Sequence, residues 1–331
     1  MYQVERCDIN ILNSEEVKAK MHTVFTTYPW ISFLMNNQNA EPVVLRLSAE
    51  GEICAYFVGL LVRKFGVRIL GSPLEGWFTP DMGFISVREF NIVEALFSVK
   101  NYAFKVLKCW YVQIHDKKIT NSILDARITS YYSKELYLDI SNSEDEIYDN
   151  FRKEAKKNIR QFNNRGATVF RSELTTEFSK TFYSQLEDVF AKQNLKPPYD
   201  EKKIRDIITA FLNDSDKILL LQVFDPDGRC IASSVSLGYG EWCYSLATAS
   251  YRDGQRFMPN EKMRWEIIKY WKQHGLNHFD FVGFREYKLK FSPDIVKVPI
   301  IVFERIPGML FAKNCLKKAI HFLRKFKGIM G

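Results

Sequence analysis

The sequence predicts an α/β (α+β) protein of two similar domains, followed by a basic amphipathic helix. Three observations carry this reading. The chain has 331 residues, more than one compact core usually holds. Its apolar residues change period along the chain, from the short runs of strands to the three-to-four spacing of helices. The second half then reads helix, helix, hairpin, strand, helix, strand, and the first half shows part of the same order. No sequence repeat is visible between them.

In the first half, Val43 to Leu47 and Ile53 to Val62 read as two strands, joined by the turn Ala49-Glu50-Gly51-Glu52. Gly71-Ser72-Pro73 and Gly76 to Asp81 mark loops. Val87 to Tyr102 has helical spacing, with Phe90, Val93 and Phe97 on one face, and Ala103 to Ile114 reads as a strand. The second half opens near Ser141. Ser143 and Glu146 have the spacing of a capping box, in which hydroxyl and carboxylate satisfy free N–H groups of a first helical turn. The helix that follows is expected to run to Arg165, with Gly166 as its stop, burying Ile147, Phe151, Ala155, Ile159 and Phe162. Helices are expected over Glu177 to Lys192 and Asp200 to Leu212. The hairpin Ile218 to Phe224 and Cys230 to Leu237 turns on Asp225-Pro226-Asp227-Gly228. Trp242 to Thr248 adds a strand, Asn260 to His274 a helix ended by Gly275, and His278 to Val282 and Val296 to Glu304 two more strands. The boundaries that follow are 1–140, 141–306 and a tail at 307–331.

Composition narrows the function classes. Hydrophobic residues make up 46% and charged residues 26%, as in ordinary folded domains. No run of about 18 apolar residues suggests a transmembrane helix. The mixed N-terminus with Glu5, Arg6 and Asp8 does not read as a signal peptide, so a cytoplasmic location is expected. Six scattered Cys without a C-x-x-C pair read as free thiols of a reducing compartment. They and the five dispersed His offer no metal site. The net charge is +8, but six Lys/Arg and no acid follow Pro307, so the body carries only +2. That is too little for a broad nucleic-acid footprint.

Three stretches resemble a known family. Phe151 to Arg160 with Arg165-Gly166-Ala167-Thr168-Val169 is similar to a basic helix, Gly and strand of the FemAB/FemX peptidyltransferases and the acetyltransferase-like proteins of exopolysaccharide clusters. Asn260 to Gly275 with His278-Phe279-Asp280-Phe281-Val282-Gly283 resembles that family's helix and strand end. Tyr287-Lys288-Leu289-Lys290-Phe291-Ser292 resembles its F-K-x-x-F-G, with Tyr for the first aromatic and Ser for the final Gly. The resemblance covers about Asn142 to Glu304. It implies two domains of the GNAT fold with a substrate cleft between them, and transfer of an acyl or aminoacyl group onto an amine of a peptidoglycan or surface-polysaccharide precursor. The implied donor is an aminoacyl-tRNA or an acyl thioester, with no bound cofactor. The implied partners are a UDP- or lipid-linked envelope precursor and charged tRNA.

Within that frame Lys288 is the first catalytic candidate, since a fixed ammonium stabilises the anion that develops when an amine attacks an ester or thioester. A solvated surface lysine is the other reading. Asp280 is the candidate to deprotonate or position the amine, or else a carboxylate bound to backbone N–H groups. Tyr287 and Tyr244 are candidates to donate to an oxyanion or to line the cleft, Tyr287 as a catalytic and Tyr244 as a binding residue, or else core tyrosines. Arg152, Lys156 and Arg160 present a cationic strip suited to a diphosphate, or else a solvated helix face. Trp265, in the second stretch, is a further binding candidate. Arg252-Asp253-Gly254-Gln255-Arg256-Phe257 lacks the glycines of an acyl-CoA pyrophosphate loop, against ordinary acyl-CoA binding there. The tail, with Lys313, Lys317, Lys318, Arg324 and Lys325 on one face, suits either an anionic membrane or docking on the body. A non-catalytic binding protein of a glycan assembly is the alternative function, and nucleic-acid binding through the tail a third.

Overall fold

The computed structural model describes residues 1–64, 66–120, 124–191 and 194–308. The tail helix expected after Pro307 therefore lies outside the described residues. A first run of elements is β1 (Gln3–Cys7), α1 (Glu15–Lys18), α2 (Tyr28–Gln38), β2 (Glu41–Ala49), β3 (Glu52–Lys64), β4 (Val67–Ser72), β5 (Gly83–Ser86), α3 (Ile92–Lys105), β6 (Tyr111–Ile114) and β7 (Thr129–Asp139). A second is α4 (Glu144–Asn150), α5 (Lys153–Asn164), β8 (Thr168–Arg171), α6 (Thr176–Ala191), α7 (Glu201–Ala210), β9 (Ile218–Phe224), β10 (Cys230–Tyr239), β11 (Trp242–Ser250), α8 (Pro259–Gln273), β12 (His278–Asp280) and β13 (Asp294–Glu304).

One sheet takes in all these strands, in the order β1-β2-β3-β4-β6-β13-β7-β12-β11-β10-β9-β8, with β5 beside β3. The order is a palindrome of the two runs, in which β1 to β4 answer β8 to β11 and β6 answers β12. In each half the pair before the centre is parallel, β4 with β6 and β11 with β12. The last strand of each run is exchanged. β7 pairs with β12, Tyr137 opposite Asp280, and β13 pairs with β6, Ile301 opposite Ile114. The two exchanged strands pair with each other from Asp294 opposite Tyr137 to Val302 opposite Thr129. A boundary near 140 thus separates two like runs along the chain, while the sheet is continuous across it.

Strand parity explains the layers. Tyr56, Val58 and Leu60 of β3 and Leu220, Val235 and Leu237 of β9 and β10 face a core shared by both halves, where Phe25, Trp30, Phe178, Phe182, Ile204 and Phe211 fill the space under α2, α6 and α7. The alternate residues Ala55 and Phe57 face a second core with Leu96 and Val99 of α3. Leu219, Leu221 and Val223 face a third with Ile267, Ile268 and Trp271 of α8. The five described cysteines are free.

Three expected elements change. α3 starts at Ile92, because Asn91 caps it by accepting the Glu94 N–H at 3.0 Å. It continues through Lys105, leaving only Tyr111–Ile114 of the expected strand. The helix expected from Ser143 to Arg165 breaks in two. The capping box forms, but Phe151 and Arg152 are extended and the Arg152 N–H donates to the Lys290 carbonyl at 3.0 Å. The break lets Phe151 pack edge-on against Trp265 and Phe291, 5.5 and 5.2 Å between centroids.

Gly238 shows how closely α8 sits on the sheet. A Cβ there would stand 2.4 Å from the Trp271 ring, whose Nε1 donates to Ser236 Oγ at 2.7 Å. Gly238→Ala is therefore expected to cost about 1–3 kcal/mol by overpacking, read as a lower urea midpoint. An unchanged midpoint would mean the ring is not seated there.

Candidate active site

The exchange of β7 and β13 brings the ends of β6 and β12 to the middle of the molecule. His115-Asp116-Lys117 follows the first and Phe281-Val282-Gly283 the second. Lys117 is the cation of this junction, its side chain 5% exposed. Its Nζ donates to the Tyr244 hydroxyl at 3.0 Å and lies 3.5 Å from Asp81 and 3.6 Å from Asp280. The Trp242 ring centroid is 3.7 Å away. Burial pushes Asp81 up to about 7 despite the attraction of Lys117, and raises Asp280 in the same way.

Lys288 is also buried. Its Nζ donates to the carbonyls of Phe281, Val282 and Gly283 at 2.7, 2.9 and 3.0 Å. An ammonium has three protons, and each has a carbonyl. Desolvation lowers its pKa to about 8. Lys288 thereby fixes the turn after β12, which hands one N–H onward, from Gly283 to Glu135 Oε2 at 3.2 Å.

Glu135 lies on β7 with Ser133, whose hydroxyl donates to its other oxygen. Desolvation first, then the Asp280 charge, pushes Glu135 up to about 7. It lines a cavity of about 540 Å3 between the halves, bounded by the loop at 73–80, by Gln113 and His115 after β6, and by Gly283 and Arg285 beyond β12. His115 shares this wall. Burial, then Lys117, lowers its pKa to about 4, so it is a neutral imidazole at pH 7, and its Nε2 has no hydrogen-bond partner. Between Glu135 and His115, Glu135 has the pKa matched to proton transfer near neutrality, and His115 is too weak a base. A second cavity, of about 730 Å3, opens on the other side of the same turn and is lined by Arg264, Tyr287 and Lys290.

This arrangement can be set beside known proteins. A family model described as an acetyltransferase (GNAT) domain matches residues 149–289. The crystal structure of FemX superposes with a TM-score of 0.70 at 15% identity, covering 90% of this chain and 96% of that one. The chain has a GNAT fold like that of FemX. L-PGS from Bacillus licheniformis shares the fold more distantly, with a TM-score of 0.58 at 12% identity over 95% of this chain and 97% of that one. In sequence, the lipid II:glycine glycyltransferase of Staphylococcus haemolyticus is 26% identical over 103 residues, and that of Staphylococcus epidermidis 33% identical over 63. These stretches are 30% and 19% of this chain. The chain spans only 24% and 15% of those relatives' lengths.

The placement of the expected residues is uneven. Asp280, Lys288 and Tyr244 meet at the junction, but all three are buried and none lines a cavity. Tyr244 is fully buried, its hydroxyl 2.9 Å from Thr23 Oγ1, so it is a core tyrosine joining the halves rather than a wall of the cleft. Asp280 accepts the Val282 N–H at 2.7 Å and faces Lys117 Nζ at 3.6 Å. All three protons of the Lys288 ammonium are engaged by backbone carbonyls. Trp265 is buried between Tyr148 and Phe151 and has no face free for substrate. Arg152 precedes α5 instead of lying on it, Lys156 folds back to the Asp149 carbonyl at 2.9 Å, and Arg160 is exposed. The three line neither cavity, so the cationic strip is a solvated face here. Tyr287 stands exposed beside the second cavity.

Sequence reading missed Lys117, Asp81, His115 and Glu135. The signal for His115 and Lys117 was their place just past an apolar strand end. Glu135 stands in step with Tyr131, Ser133 and Tyr137, a period-two pattern on a strand the reading had not recognised.

Proposed function

We propose that this chain is an acyltransferase or aminoacyltransferase that forms an amide on an amine of a peptidoglycan or surface-polysaccharide precursor. The observation that carries the reading is a buried carboxyl poised near pH 7 on the wall of a cavity between two GNAT-like halves. The similarity to lipid II:glycine glycyltransferases supports the acceptor class. An amine reaches the site as an ammonium and must lose a proton to attack. Glu135 takes that proton and releases it to solvent. The freed nitrogen bonds to the donor carbonyl carbon, Glu135 takes the second N–H proton, and as the ester or thioester bond breaks that proton leaves with the departing oxygen or sulfur. His115 Nε2, as an unpaired acceptor, orients the amine through its second N–H, and Arg285 meets the anionic groups of the precursor at the rim. The donor is an aminoacyl-tRNA or an acyl thioester. Among the described residues no helix is long and apolar enough to cross a membrane, and a lipid-linked acceptor would be met through the basic tail.

The test is mass spectrometry of UDP- and lipid-linked precursors incubated with the protein and each donor. A donor-dependent mass gain is expected, and precursors unchanged with every donor would overturn the reading. Lys288→Met separates positioning from chemistry. Three buried carbonyls lose their donor, so stability is expected to fall by about 2–4 kcal/mol together with activity. Activity lost at unchanged stability would instead make Lys288 a direct participant.

A further inference from the structure

At one end of the sheet three stretches of chain close on each other. β3 ends at Arg63 and Lys64, and Arg63 stands opposite Arg68 of β4. The Arg68 carbonyl accepts the Trp110 N–H at 2.9 Å, and the Trp110 carbonyl accepts the Arg305 N–H at 2.9 Å. Arg68 Nη1 also donates to the Leu107 carbonyl at 3.1 Å, which ties the turn after α3 to the hairpin. The stretches 63–68, 105–110 and 304–308 hold six Lys/Arg and one acid, Glu304, whereas the whole body before the tail carries only +2. None of the six cations forms an ion pair with a described residue, and all but Arg68 are exposed. Like charges directly opposite on paired strands repel, so Arg63 and Arg68 gain from an anion placed over them.

Apolar side chains stand among these charges. Val106, Trp110 and Ile306 are 55%, 38% and 51% exposed, and Trp110 is the one exposed tryptophan among the described residues. Cations around an indole and two aliphatic side chains suit a membrane interface, where Trp sits at headgroup depth and Lys/Arg meet lipid phosphates. A nucleic acid would engage the cations but leaves the two aliphatic side chains without a partner. The basic tail continues from the same place, since the Glu304 carboxylate accepts the N–H of Gly308 at 3.2 Å.

We propose that this end of the sheet is the face with which the protein sits on an anionic lipid surface. Val106, Trp110 and Ile306 enter the headgroup layer, and the surrounding cations meet phosphates. The inference deepens the reading of a lipid-linked acceptor, but it concerns binding alone and is tested with neither donor nor acceptor, so each can fail without the other.

Full-length protein, tail included, is co-sedimented with vesicles of phosphatidylcholine containing phosphatidylglycerol, and with phosphatidylcholine alone. Binding to the anionic vesicles is expected, and much weaker binding to the neutral ones. Arg63→Gln/Lys64→Gln and Lys105→Gln/Lys108→Gln are each expected to weaken it about thirtyfold, the worth of two cations near the surface. These side chains are exposed, so the Tm should stay near that of the wild type. Lys157→Gln/Arg160→Gln removes the same charge from the solvated face of α5 and should stay within about twofold of wild type, because salt screens distant charges. Brominated lipid should quench part of the wild-type tryptophan emission, and Trp110→Phe should lose that part, which net charge alone cannot mimic. The proposal is overturned if anionic vesicles are not bound, or if both loop variants bind like wild type and the tail alone accounts for binding. It is equally overturned if the α5 variant loses as much, or if quenching persists in Trp110→Phe. Labelled RNA that binds, and is lost in the loop variants, while vesicles are ignored would give the face to nucleic acid and sink the proposal.

Discussion

Glu135→Gln is expected to lower the rate of amide formation by about 10²–10⁴-fold, the range for loss of a general base, while the Tm stays near that of the wild type. The amide keeps the volume, its oxygen can accept from the Gly283 N–H and its NH2 can donate to the Ser133 hydroxyl, so the fold loses little. The pH profile supplies a second readout. Only the carboxylate form accepts a proton, so wild-type activity should fall as pH drops through about 7, and the residual activity of the Gln variant should lack that limb. The linked effect on stability has the opposite direction. The fold raises this pKa above that of the unfolded chain, so the folded state is richer in protons between the ordinary glutamate range and about 7. Glu135's contribution to stability is therefore present in acid and lost as pH rises to about 7. A Gln variant within twofold of wild type, or an acidic limb near the ordinary glutamate pKa, would remove Glu135 from the mechanism.

Lys117→Met should be the most damaging single change to stability, at about 3–5 kcal/mol. It leaves Asp81 and Asp280 facing each other across the junction of the halves with no cation between them, in a site where both are fully buried. Adding Asp81→Asn should return part of the loss, because it removes one of the two stranded charges. Urea unfolding of wild type, single and double variants measures the coupling. A loss below about 1 kcal/mol for Lys117→Met would mean that the carboxyls are already neutral and that the junction does not rely on the lysine.

Much of the fold was readable residue by residue. Ile218–Phe224 and its partner strand announced themselves through an apolar run, Asp-Pro-Asp-Gly and a second run. Ser143 with Glu146 marked a helix start, and Gly275 a helix end. These signals work because caps, turns and side-chain periods act within a few residues. Where the reading slipped, a distant partner had prevailed. The chain leaves the helix at Phe151 to pack against Trp265 and Phe291, and Arg152 gives its N–H to Lys290.

The candidate site was less readable, for the same reason. The order of residues around Asp280 and Lys288 pointed to the end of β12, but it offered Lys288 as a catalytic ammonium or a solvated surface lysine. The three carbonyls that hold its ammonium are brought round by the turn. Sequence by itself determined most of the element order of the second half, from Ser143 onward, because local propensity and apolar spacing suffice for that. Tertiary structure alone decided that the final strands cross over, that Lys117 from one run neutralises Asp280 from the other, and that Glu135 reaches the cavity. Strand pairing and charge burial depend on which surfaces meet in space, and nothing within a short window of sequence encodes that.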